Sequence, residues 1–337
     1  MKKPNLTFFT ELPAEELEDL LEDKTVIDHL LTLGASLSLG ILDLSEERAA
    51  VVKRLNQAGI PVIAWLLLPE AEGYWFNIDN SEQAAARYIE FKAWTTHHEL
   101  QWVGIGLDIE MNINELRSIL EEKQAGRFIK NLWRRYLDRH RVYQAQRVYQ
   151  ALVDLIRADG YSVESYHIPL ISEERRAKST VLQRTAGLVD LETDREVLML
   201  YSSFLRPDGA SVLWTYASEA DSIGVGSTGG GVDLQGVIDV DPLTWEEFAR
   251  DLRLCAMQEK PVHIFSLEGC VHQGFLERLE AFNWEEKAQV PVSVKKVNAL
   301  RTGTTTLLWI LERPWVLLIA LASLIGLGFL FKKGKKA

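Results

Sequence analysis

Two carboxylates set two residues apart, Asp108 and Glu110, close the stretch Gln101–Asn112, which reads Gln-Trp-Val-Gly-Ile-Gly-Leu-Asp-Ile-Glu-Met-Asn. A carboxyl pair can do general acid and base work when its surroundings raise the pKa of one member towards neutrality. Small or acidic residues (Gly104, Gly106, Asp108, Glu110) alternate here with apolar ones (Val103, Ile105, Leu107, Ile109), the period of two that marks a strand. Both carboxylates therefore share one face at the carboxyl end of that strand. The two glycines before them leave room on the same face for a ligand or for other backbone. Asp43, Trp65, Tyr166, His167, Tyr201 and Glu268 also fall at or near the ends of expected strands. Carboxylates, aromatics and a histidine gathered at one rim suit a polyhydroxylated substrate, because aromatic faces stack on sugar rings while carboxylates move protons. Each also has a plainer use: Trp65 and Tyr201 as barrel filling, His167 as a hydrogen-bonded core residue, Asp108 as an orienting group.

Gathering those residues requires parallel strands whose carboxyl ends meet. Strands are expected at Leu6–Thr10, Ser36–Asp43, Pro61–Leu68, Gln101–Glu110, Tyr161–Leu170, Glu196–Ser203, Ser222–Gly226 and Pro261–Leu267. Helices are expected at Ala14–Leu33, Glu46–Ala58, Ser81–Glu99, Ser172–Asp190, Thr244–Glu259 and Val271–Phe282. Ser45 serves as an N-cap, Gly59 as a stop, and Thr244 with Glu247 as a capping box. Ile113–Asp159 reads as wholly helical and longer than an ordinary crossover. Eight strands alternating with helices predict an α/β chain folded as a closed (β/α)8 TIM barrel over residues 1–286, with a helical insertion at about 113–159. The loop Pro69–Asn80 is long, acidic and aromatic. Ser227–Gly231 is glycine-rich but lacks the lysine of a phosphate-binding loop.

Hydrophobic residues make up 47% of the 337 residues and charged residues 25%, which fits a packed core and not a disordered chain. A formal net charge of -11 argues against nucleic acid as a partner, since neutralising phosphates needs a basic surface. Two cysteines, Cys255 and Cys270, build no disulfide framework and no zinc spacing. After a polar linker at 287–313, Pro314–Phe331 carries no charge and is almost wholly apolar, and lysines crowd the tail at 332–337. That run predicts a transmembrane helix at 314–331, a single-pass carboxy-terminal anchor in membrane lipid. The lysines place the tail in the cytoplasm and the barrel on the extracytoplasmic side, although no export signal is visible at the amino terminus.

The central strand resembles that of the chitinase-type (family 18) glycoside hydrolases, whose fourth barrel strand carries Asp-x-x-Asp-x-Asp-x-Glu. Asp108 and Glu110 occupy the last two motif positions, while Val103 and Gly106 stand at the two earlier aspartates. Met199-Leu200-Tyr201 similarly matches that family's Met-x-Tyr-Asp, with Ser202 in place of the final residue, and no tryptophan ends the eighth strand. The resemblance implies a barrel acting on a glycan or oligosaccharide, with Glu110 as general acid, Asp108 orienting and Tyr201 supporting. In that family the substrate's own N-acetyl group is the nucleophile, a route that usually draws on the aspartates missing here. Three other readings stay open. Glu110 and Glu268 can be the acid and the second carboxylate of a classical glycosidase. Asp43, Asp108, Glu110 and Glu268 can ligate Mg²⁺ or Ca²⁺ in a phosphodiesterase-like barrel, although no basic residue at those ends grips phosphate. The barrel can also be a catalytically inactive module that binds a glycan or a protein. The leading reading uses neither cofactor nor metal.

Overall fold

The computed structural model describes residues 2–120, 132–231 and 240–316. Eight parallel strands close into a barrel in sequence order: β1 Leu6–Thr10, β2 Ser36–Ile41, β3 Val62–Leu66, β4 Gly104–Ile109, β5 Val163–His167, β6 Arg195–Met199, β7 Ser222–Gly226 and β8 Val262–Phe265. The period of two in β4 sorts its side chains between two cores. Ile105, Leu107 and Ile109 join the large apolar core under the helices. Gly104, Gly106 and Asp108 are left on the barrel's inner side, where Phe9, Trp65 and Tyr166 form a second cluster. Registers Trp65↔Gly106 and Asp108↔Tyr166 set the level of each inward residue.

The helix starts follow their sequence signals. Ser45 Oγ accepts from Arg48 N at 3.1 Å, Gly59 takes the left-handed conformation at φ 80°, and Thr244 with Glu247 completes the capping box. Cys255 and Cys270 are buried free thiols. Some expected helices are interrupted. Ala14–Leu33 divides at Asp23, whose carboxylate caps Lys24–Leu33 by accepting from Thr25 N. Ser172–Asp190 resolves into Leu170–Ala177 and Val181–Ala186. The expected insertion shows helices Ile113–Leu120 and Arg139–Ala158, with 121–131 outside the described residues.

The stretch 287–313 is not the expected linker. Most of it is the helix Val294–Glu312, packed on helices Leu170–Ala177 and Gly209–Tyr216. Its threonines suggest poor helix formation, but Thr302 and Thr306 hydroxyls donate to carbonyls one turn back, and tertiary burial decides the rest. Arg301 pins this helix. Its guanidinium is 5% exposed, donates to Glu173 at 2.7 Å, also bonds Glu219, and lies 3.7 Å over the Tyr216 ring. At the far end Glu312 accepts from Arg184 and from the Thr180 amide. The expected transmembrane helix at 314–331 lies mostly outside the described residues, which end at 316. Among the described residues no helix is long and apolar enough to cross a membrane, so the described chain lends that expectation no support.

Candidate active site

At the carboxyl ends of the strands the barrel opens into a cavity of about 830 Å³, within the usual range for ligand pockets. Glu11, Asp108 and Glu110 supply carboxyl groups, with Asp208 as a further one paired to Lys296, and Trp65, Trp75, Tyr201 and Phe265 supply aromatic walls. The end of β4 is held from one side by the loop after β3. Phe76 N donates to Asp108 O at 2.9 Å, and Glu110 N donates to Phe76 O at 3.1 Å. This short bridge extends the sheet past β4 and presents both carboxylates to one space.

The charges there are crowded. Asp108 is 2% exposed, and burial followed by the nearby Glu110 and Glu11 charges pushes its carboxyl well above the ordinary range. The Trp65 indole opposes that rise, yet Trp65 Nε1 and Asp108 Oδ1 both lack a hydrogen-bond partner of normal geometry among the described residues. Glu110 keeps partial access to the cavity, but the surrounding protein strips enough water to raise it to about 7. Since the two carboxyls titrate as a pair, the site retains a proton near neutrality. Tyr201 is raised by burial and then by the Asp108, Glu110 and Glu11 charges, and it lines the same cavity as those three carboxyls. Its ring stacks on Phe265 at 5.5 Å between centroids.

The packing explains why β4 lacks an acidic residue at 106. A Cβ built on Gly106 would lie 2.2 Å from Tyr166 Oη, so the tyrosine occupies the volume that any side chain would need. Tyr166 Oη bonds Ser38 Oγ at 2.8 Å and reaches Glu164, which also binds His263 and Arg195. This buried polar layer closes the barrel beneath the cavity. Gly106→Ala is therefore expected to lose about 1–3 kcal/mol, the usual range for overpacking. Urea unfolding measures it, and a Tyr166→Ala background should make the same change milder. Equal losses in both backgrounds would disprove the clash.

Other expected residues sit elsewhere. Asp43 turns away from the cavity to pair with Arg48, which is 0% exposed and also donates to Gly40 O and Leu12 O. Partial burial would raise Asp43, but the Arg48 guanidinium and Ser45 hydroxyl outweigh it and leave the carboxyl below its usual value. Asp43 is thus structural. His167 follows Tyr166 by one residue and so faces the helix layer, level with Ile109 and Leu198. It does not line the cavity. Burial first, with help from Arg175, lowers its pKa to about 4 and keeps the ring neutral.

Because the folded ring protonates less readily than a free histidine near 6.5, stability is full above that pH and declines as the pH falls towards 4. Wild type should lose about 2 kcal/mol between pH 7 and pH 5 relative to His167→Phe. Denaturant titrations at the two values check this, and parallel pH profiles would refute it.

Glu268 opens the helix Leu267–His272 behind Gly230, where a Cβ on that glycine would meet Glu268 Oε1 at 2.5 Å. Burial raises its carboxyl, but Glu268 does not border the cavity. Glu110 and Glu268 therefore do not line this cavity together. Nor do Asp43, Asp108, Glu110 and Glu268 converge as metal ligands. Among the described residues the cluster with ligand spacing is Glu46, His97 and the buried His98, none of which lines the cavity.

Sequence reasoning missed Glu11, which stands one residue past β1 and accepts from Tyr74 Oη at 2.7 Å. The rule that found Asp108 applies to it equally, but its place at the head of an acidic helix masked it. Tyr74 and Trp75 come from the aromatic loop after β3. The cavity wall formed by Val297, Leu300 and Thr304 had no signal in sequence, because it depends on where a distant helix docks.

No protein-family model and no curated protein matches the chain. Similar solved structures include the PgaB (BpsB) glycoside hydrolase domain from Bordetella bronchiseptica, 8% identical, with a TM-score of 0.49 over 83% of this chain and 98% of that one. A GH18 chitinase from Pseudoalteromonas aurantia is 11% identical, with a TM-score of 0.47 over 83% of this chain and 100% of that chain. A xylose isomerase-like TIM barrel protein from Mycobacterium smegmatis, in complex with magnesium, is 11% identical, with a TM-score of 0.42 over 83% and 97%. At these scores the likeness carries no argument about the site, and the barrel stands on its own strand pairing.

Proposed function

We propose that this barrel acts on a glycan as a glycoside hydrolase, with Glu110 as general acid, Asp108 orienting it and Tyr201 donating a hydrogen bond. The observation that carries the reading is a carboxyl pair that keeps a proton near neutral pH at the floor of an aromatic-walled cavity. A leaving oxygen must be protonated at the moment its bond breaks, and a carboxyl raised to about 7 is suited to that step. Trp65, Trp75 and Phe265 offer faces for sugar rings. Glu11, fixed by Tyr74, replaces Glu268 as the further carboxylate within the cavity. Turnover of a chromogenic glycoside panel tests the reading.

The space filled by Tyr166 favours a second reading, a barrel that binds glycans without cleaving them. Binding of oligosaccharides with no turnover across the panel would select it. In either case the uncharged run at 314–331 and the lysines after it support a membrane anchor with the barrel outside the cytoplasm. Protease added to intact cells should digest the barrel. Digestion only after lysis reverses the orientation, and full-length protein in the soluble fraction without detergent removes the anchor.

A further inference from the structure

The cavity is polar at its floor and mostly apolar at its mouth, where the charged residues Arg206 and Asp208 are paired with Glu247 and Lys296. Leu170, Phe204, Leu205 and Leu300 line it while remaining 40%, 46%, 43% and 61% exposed. Val212 and Val297 carry the same surface inward. These side chains come from separate segments: the start of helix Leu170–Ala177, the turn Ser202–Leu205, helix Gly209–Tyr216 and helix Val294–Glu312. Single exposed apolar residues are ordinary on a protein surface, but a contiguous set leading into a cavity marks something that covers it. The Arg301–Glu173 pair holds that set together by fixing the last helix against the others.

We infer that the cavity takes an amphiphile, with a polar head at Glu11, Asp108 and Glu110 and an alkyl or acyl chain along the Leu170–Phe204–Leu205–Leu300 wall. That the head is a sugar rests on the function proposed above. The substrate class is then a glycoside whose aglycone is a hydrocarbon chain. Helix Val294–Glu312 adds a second reason. Leu300 lies twelve residues before Glu312, about 18 Å along a helix, and the uncharged run begins two residues later at Pro314. The helix that gives Val297 and Leu300 to the apolar wall is thus followed in sequence by the segment best suited to lipid, which fits a ligand whose hydrocarbon chain comes from a bilayer.

The test uses the full chain in lipid nanodiscs and methyl, butyl, hexyl and octyl glucosides and N-acetylglucosaminides. Dissociation constants are read from the fluorescence of tryptophans such as Trp65 and Trp75, which line the cavity. Affinity should rise about two- to fourfold for each added methylene, as expected for partial to full burial. Leu300→Gln and Phe204→Gln should flatten that slope, and because all discs are identical the comparison removes partition into lipid. A dissociation constant independent of chain length, or a slope unchanged in both variants, overturns the inference. Alkyl phosphocholines of matched length separate the two proposals. If they bind with the same slope and glycosides show no advantage, the apolar wall stands and the sugar head falls.

Discussion

Glu110→Gln is expected to lower kcat by about 10²–10⁴-fold on any glycoside the wild type cleaves, because it keeps the shape of the side chain and removes the transferable proton. The pH dependence follows from the raised carboxyl. Glu110 acts in its protonated form, loss of hydration lifts it to about 7, and so wild-type activity should fall as the pH rises through that value. The same shift has a stability consequence with a definite sign. A carboxyl that titrates near 4.5 when unfolded and near 7 when folded favours the folded state as the pH drops from 7 to 4.5, and its ionisation opposes folding above 7. Glu110→Gln should therefore be about 2–3 kcal/mol more stable than wild type at pH 8, with the difference gone near pH 4.5. Steady-state kinetics and denaturant titrations at both pH values read the two effects separately. Full kcat in the variant would sink the acid assignment, and equal stability at pH 8 would show that the carboxyl is better hydrated than its surroundings indicate.

Arg301→Ala should produce the largest loss of stability, about 3–5 kcal/mol, because it strands Glu173 in a site where that carboxylate is 0% exposed. For a chain of this size the melting temperature should drop on the order of 5–10 °C. The double change Arg301→Met with Glu173→Met removes both charges and should recover most of the loss, since an apolar pair of similar volume avoids the unpaired charge. Calorimetry of the three proteins decides it. A loss under about 1 kcal/mol, the range of an exposed pair, would mean that the last helix is not held by this contact.

The two predictions rest on parts of the molecule that were unequally visible in sequence. Asp108 and Glu110 were legible because β4 is buried on both sides and still places two glycines and two carboxyls on one face, a pattern that packing alone does not favour. Asp43, His167 and Glu268 show the limit of the same rule. Each stands near a strand end, but one residue of phase sends His167 to the helix layer, a neighbouring guanidinium claims Asp43, and the backbone of Gly230 screens Glu268.

The barrel itself was determined by local patterning, since alternation within strands, caps at helix starts and glycines at helix ends each act over a few residues of chain. The site was decided only in three dimensions. Glu11, Tyr74 and Asp108 are brought together by barrel closure across nearly a hundred residues, and Tyr166 meets Gly106 through the β4–β5 register. Leu300 reaches the cavity mouth because Arg301 finds Glu173, 128 residues away, in a buried interface. No periodicity in a single chain encodes such pairings, because their energies depend on burial and charge contacts that exist only once the elements have packed.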